Sequence, residues 1–136
     1  MPDKNDHPAA LPDRPPTLRV MPTPADVNGN GDIFGGWIMA QADIACGIAA
    51  MRRSRGRVVT VAVNSFQFKQ PVSVGDIVSL YADVVETGRT SMKINVEVYA
   101  ERHPAQPITV KVTEATLTFV AINQQGEKRL LPDDQQ

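Results

Sequence analysis

One helix-length apolar segment, Gly36 to Met51, is followed by four stretches of strand-like alternation and by no second helix. The helical segment is crowded with small residues: Ala40, Ala42, Ala45, Cys46, Gly47, Ala49 and Ala50. Small side chains on most faces let neighbouring backbone approach from several sides. Its start is expected near Gly35 or Gly36 and its end around Arg52 to Arg55, where cations suit the negative end of the helix dipole. Beyond Gly56 the period switches from helical to alternating. Arg57 to Lys69 is β-branched and stops before Pro71, and Ile77 to Glu86 sets Val78, Leu80, Ala82 and Val84 on one face. Met92 to Ala100 alternates most cleanly, with Met92, Ile94, Val96 and Val98 opposite Lys93, Asn95, Glu97 and Tyr99. Thr87 to Thr90 reads as a tight hairpin, Ile108 to Ile122 as a long last strand, and Leu18 to Met21 as a short first one. One helix and that much strand have one economical arrangement: an α+β domain with an antiparallel sheet wrapped around one long central helix.

A chain of 136 residues is one domain with a sizeable core. Residues 1–16 are proline-rich without apolar periodicity and are expected to form a disordered tail. The domain proper then runs over 17–132, with a short tail over 133–136. Net charge is −1, so the chain lacks the basic field of a nucleic-acid binder. With one cysteine and two histidines there is no disulfide framework and a tetrahedral zinc site is close to excluded, so no metal is expected. The helical segment falls about a turn short of the ~20 apolar residues that span a bilayer, and Gln41, Asp43 and Gly47 interrupt it. The stretch MPDKNDHPAALPDRPP has no apolar core of the kind that marks a secretory signal. A cytoplasmic protein without membrane contact is the expectation.

Asp43 is the sole charge between Ile33 and Met51. A carboxylate in apolar company is costly unless it is paired or hydrogen-bonded, and such groups tend to be used. Gly35-Gly36 opens the helix upstream, exposing backbone N–H groups at the positive dipole end, where an oxyanion can be held. Asp43 lies two turns further on, about 10 Å along the axis, too far for both to grip one atom within one subunit. A partner subunit or an extended substrate is required to join them. Other features carry less. Asp26 to Gly31 begins like a calcium loop, but Trp37 occupies the position where a bidentate glutamate is needed. Gly29-Asn30-Gly31 begins like a dinucleotide fingerprint, but Phe34 replaces the third glycine. His7 lies in the tail and His103 in a hairpin, which removes a serine–histidine–aspartate triad. Cys46 reads as a small buried hydrophobe. Arg52, Arg53, Arg55 and Arg57 form either a solvated helix end or a cradle for a phosphorylated ligand.

Several segments together resemble the hotdog-fold acyl-CoA thioesterases, in particular their YciA-like bacterial type. They are Asn28-x-x-Gly31-x-x-x-Gly35-Gly36 followed by Asp43, the run Asn30 to Met39, Gly56 to Val61, the turn Phe68 to Asp76, and Thr90-Ser91-Met92. The likeness extends over roughly Leu18 to Pro132. It implies that Asp43 acts on a thioester, either by activating water or by direct attack to give an anhydride. It further implies that Asn28 completes the site and that the N–H near Gly36 receives the oxyanion. Gly35, Arg57, Thr60, Lys69 and Ser91 fall in segments that bind the substrate in that family. The resemblance also implies that two domains pair so that Asn28 and Asp43 meet across a dimer interface, and that dimers assemble further into hexamers. No cofactor is implied beyond the coenzyme A of the substrate. Asn64 and Ser65 stand where relatives often carry an acid, which bears on substrate selectivity.

Two rival functions fit the same fold. A non-catalytic acyl-CoA sensor needs an output module, and the short tail holds no helix pair for DNA. A hydratase or dehydratase needs a histidine near the acid, which the sequence does not supply.

Overall fold

The computed structural model describes residues 9–134. A short strand β1 (Leu18–Val20) leads through a single 3-10 turn (Pro24–Asp26) to one long helix, α1 (Gly35–Ser54). Four strands follow: β2 (Val58–Phe68), β3 (Ile77–Thr87), β4 (Ser91–Arg102) and β5 (Ile108–Ala121). They form one antiparallel sheet in the order β1-β3-β4-β5-β2. The single helix and the long strands lie where the switch of sequence period put them. No helix among the described residues is long and apolar enough to cross a membrane.

Alternation decides which side chains reach the helix. Leu80, Ile94, Val96, Val98, Leu117 and Phe119 project from the sheet onto Ile38, Ala42, Ala45, Cys46 and Ala50 of α1, and all are buried. The alanine-rich face lets the helix sink into the curved sheet, and burial of these apolar surfaces supplies the main driving force. The sheet covers only one side of α1, however. Met39, Ile44 and Met51 stay exposed on its far side. Strand β2 is the sheet edge beside them; among the described residues it pairs with β5 alone, and it exposes Val59, Val61 and Val63.

The helix ends on Arg55 in the left-handed conformation (φ 57°), its N–H donating to the Met51 carbonyl at 2.8 Å. Arg129, far away in sequence, completes the cap. Its guanidinium donates to the carbonyls of Ser54 (2.9 Å), Ile122 (2.9 Å) and Arg57 (3.2 Å). Gly56 makes room for it, since a Cβ there would stand 2.6 Å from Arg129 Nη2. A cation shared by three carbonyls at the negative end of a helix is favourable twice over, as hydrogen-bond donor and as charge. Arg129→Ala is therefore expected to cost about 2 kcal/mol. Thermal denaturation followed by circular dichroism should show a midpoint lowered by several degrees.

The turn after β2 is fixed by Asp76, whose carboxylate accepts the Ser73 N–H (3.0 Å) and an Arg102 N–H (3.2 Å). Burial pushes this carboxyl above its ordinary range, while Ser73 and Arg102 pull it back. Gly75, at φ 93°, supplies the backbone conformation the turn requires.

The expected disordered tail needs correcting over part of its length. Residues 1–8, with His7, lie outside the described residues, as do 135 and 136 at the other end. From Ala9 onward the chain is laid against the sheet. Ala9 N–H donates to the Thr109 carbonyl (2.7 Å), on the part of β5 that β2 does not pair. Arg14 makes two hydrogen bonds to the Asp83 carboxylate (2.8 and 2.6 Å) and lies over the Tyr81 ring, 5.4 Å from its centre. Tyr81 is consequently only 1% exposed although it points away from the helix. Single anchors of this kind leave no periodic pattern in a sequence, which is why composition alone misses them.

Candidate active site

The loop before α1 is folded by Asn28. Its side-chain carbonyl accepts the N–H groups of Asn30 (2.8 Å) and Asp32 (3.2 Å), and its own N–H donates to the Asp32 carbonyl (2.7 Å). Gly31 sits at φ 86° inside this turn. Asparagine suits such a turn because its short amide closes the loop while tolerating a tight backbone. With the carbonyl committed to the loop, the Asn28 amide nitrogen is the end left for another partner. Ile33 N–H donates to the Val72 carbonyl (2.8 Å), which ties the loop to the turn after β2.

Helix α1 then starts without a side-chain cap, because Phe34 stands at the capping position. A helix begun this way keeps its first N–H groups for a ligand. The space around Gly36 is open: nothing lies within 4 Å of where a Cβ would be. Gly35 differs, since a Cβ there would come within 3.2 Å of the Phe68 ring. A groove of about 310 Å³ opens beside this helix start, lined among others by Asn28, Asp32, Gly35, Ile38, Phe68 and Lys69. Asn28, Gly35 and Lys69 are thus brought together within one chain.

Asp43 is not among the residues of that groove. Its surroundings also correct the sequence expectation. It was expected in apolar surroundings, but on the single chain it is exposed, on the side of α1 that the sheet leaves bare. Thr60 of β2 donates its hydroxyl hydrogen to Asp43 Oδ1 at 2.6 Å. This partner was legible in principle. Val58 and Thr60 alternate toward the helix, opposite Ala121 and Phe119 of β5, and a hydroxyl in that row finds one charged group on α1. The family resemblance puts Thr60 among the substrate contacts instead.

The remaining candidates are spread over the surface. Arg57 donates to the carbonyls of Asn123 (3.4 Å) and Gln124 (3.1 Å), and Arg53 to that of Pro132 (2.7 Å). The basic cluster at the helix end thus holds the C-terminal segment, at least in these two members. Ser91 opens β4 and lines a separate hollow of about 280 Å³ with Glu86, Lys93 and Thr118. Phe68 and Gln70 line the Asn28 groove and were not singled out from the sequence. His103 occupies the β4–β5 turn at φ 59°, far from both halves of the site in sequence and outside the groove lining.

Cys46 lies in the core, and burial, reinforced by the Asp43 charge, pushes its thiol up to about 12. The folded protein should not react with an aromatic disulfide reagent at pH 8, whereas the denatured chain should release one equivalent of chromophore. A fast reaction of the native protein would contradict this placement.

Residues 30–105 match the model of the Thioesterase superfamily. The chain is 48% identical over 117 residues to the acyl-CoA thioester hydrolase YciA of Escherichia coli K12, covering 85% of this chain and 89% of the relative. Among solved structures it is similar to the hexameric thioesterase of Yersinia pestis (TM-score 0.85, 44% identity, 90% of this chain and 100% of that one). A hexameric hotdog-fold thioesterase of Campylobacter jejuni is equally similar in shape (TM-score 0.85, 40% identity, 88% of this chain and 92% of that one).

Proposed function

The chain belongs to the thioesterase superfamily, and from that premise we propose that it hydrolyses acyl-CoA thioesters at a site shared between two subunits. The observation that carries the shared site is the division of parts within one chain. Asn28 and the helix start line one groove, while Asp43 with Thr60 lies outside it on a bare helix face. A second copy set against that face would bring its Asn28 groove to this copy's Asp43. Such a dimer has a ready surface. The open edge of β2 offers unpaired N–H and C=O groups, and Val59, Val61, Val63, Met39 and Ile44 beside it are exposed. The hexameric state of the structural relatives supports further assembly of such dimers, and we assign this chain a hexamer made of three of them.

In the composite site the thioester oxygen rests on the N–H groups at Gly35 and Gly36, which stabilise the charge it gains in the transition state. Asn28 holds the carbonyl or the attacking water through its amide. Asp43, oriented by Thr60, takes the proton of that water, or itself attacks the carbonyl carbon to give an anhydride that water then opens. By either route the carbon–sulfur bond breaks, the thiol of coenzyme A leaves with a proton, and the free acid remains. Lys69 at the groove, with Ser91 and Arg57 further off, is assigned to the coenzyme. This chemistry draws on no cofactor beyond the coenzyme A of the substrate. A buried, unpaired Cys46 suits a reducing compartment, and we place the protein in the cytoplasm.

The test is release of free thiol from a series of acyl-CoAs by the purified protein. Sustained turnover is expected; tight binding with no release would favour a sensor, and water addition to an enoyl-CoA without thiol release would favour a hydratase. Thr60→Val should lower kcat about tenfold, the equivalent of one lost hydrogen bond to a charged group, with little change in KM. Thr60→Ser should restore most of it. Equal loss in both variants would mean that the hydroxyl does not act through Asp43.

A further inference from the structure

Phe68 ends strand β2 at the Asn28 groove, and none of the roles assigned above uses it. Its side chain is 49% exposed, yet two neighbours hold the ring. The Phe66 ring lies 4.9 Å away at an interplanar angle of 41°. Against another side comes the bare Cα of Gly35, where a Cβ would stand 3.2 Å from Phe68 Cζ and 3.6 Å from each Cε. Glycine at this helix start therefore serves the ring, giving it a seat directly on the first turn of α1. Beyond the ring the groove is floored by Ile33 and Ile38, both buried. An apolar wall and an apolar floor thus stand next to the N–H groups that take the thioester oxygen in the proposed reaction.

Resting on that reaction, we infer that Phe68 is a specificity-determining residue, the wall that sets how long an acyl chain the groove accepts. The phosphates of the coenzyme end call for a cation, which Lys69 supplies at the same groove, whereas the hydrocarbon end has only apolar surface to offer and is matched by the ring and the two isoleucines. The hydrocarbon end gains with each methylene removed from water, up to the point where the ring stops it. Two substitutions act in opposite directions on this wall. Phe68→Ala removes it and lengthens the groove. Gly35→Ala presses a methyl group against the ring and displaces it by a few tenths of an ångström, since that contact is tighter than ordinary van der Waals separation.

The test is kcat/KM for a homologous series of straight-chain acyl-CoAs, short to long, with wild type, Phe68→Ala, Phe68→Leu and Gly35→Ala. The ratio of long-chain to short-chain values should rise about tenfold in Phe68→Ala. It should rise less in Phe68→Leu, which keeps the strand end filled if the alanine variant folds poorly, and should move the other way in Gly35→Ala. A common factor across all lengths in both Phe68 variants would show the ring touching the coenzyme or the thioester, and would overturn the inference while leaving the hydrolase intact. An unchanged profile would overturn it as well. Wild type inert toward every acyl-CoA would overturn the hydrolase reading, and this inference with it.

Discussion

Asp43→Ala should reduce thiol release from acyl-CoA by about three orders of magnitude, the scale on which a general base or nucleophile contributes. The protein should otherwise be unharmed. Asp43 lies on the exposed side of α1, and its hydrogen bond to Thr60 is the one it makes to its own chain among the described residues. The substitution removes one hydrogen bond and no core contact, so the unfolding midpoint should fall by no more than a few degrees. Asp43→Asn sharpens the test. It preserves the shape and can still accept from the Thr60 hydroxyl, but it can neither take a proton from water nor attack as a carboxylate. Both variants should be equally inactive and should still bind acyl-CoA. Asp43→Asn turning over at a substantial fraction of the wild-type rate would remove the carboxylate from the chemistry.

Val61→Asp should be nearly as damaging, for a reason far from the chemistry. Val61 is 54% exposed in the first half of an eleven-residue edge strand that has one free side among the described residues. An apolar edge that long invites a partner strand, and natural proteins that avoid such pairing place charge there. In a two-fold dimer each copy contributes the new carboxylate to the same seam, so burial and like-charge repulsion both oppose assembly. Light scattering should show a monomer, and thiol release should be lost although Asp43, Thr60, Asn28 and the helix start are all untouched. A monomeric Val61→Asp protein with full activity would show that one chain holds the whole site.

How much of this was legible beforehand differs between fold and site. The fold was almost fully legible because each element announces itself locally. Small apolar residues at helical spacing marked α1, and strict alternation at Met92, Ile94, Val96 and Val98 marked β4 to within two residues of its observed ends. The N-terminal segment was not legible. Arg14 on Tyr81 and Ala9 on Thr109 are isolated contacts between distant positions, and nothing periodic signals them. Arg129 belongs to the same class, a lone cation whose three carbonyl partners converge only once α1, the start of β2 and the end of β5 are in place. For the site, residue types and spacing pointed to Asp43 and Gly35-Gly36, and the family resemblance added Asn28, but neither reached their surroundings. The sequence around Asp43 is apolar, which suggests burial; the single chain leaves it exposed, because the apolar residues next to it belong to a face that its own sheet does not cover. Pattern reports which residues avoid water, and is silent on whether the same chain or another shields them.

The central claim, that Asn28 of one subunit works with Asp43 of another, is tested most directly by mixing two inactive proteins. Asn28→Ala and Asp43→Ala are each purified, combined in equal amounts under conditions that allow subunits to exchange, and assayed for thiol release. Every mixed dimer then holds one site with both side chains intact and one with neither. Random exchange makes half the dimers mixed, so recovery of about a quarter of wild-type activity is expected from two preparations that are inactive alone. Subunit exchange without any return of activity would place Asn28 and Asp43 in the same chain's site, and would contradict the account.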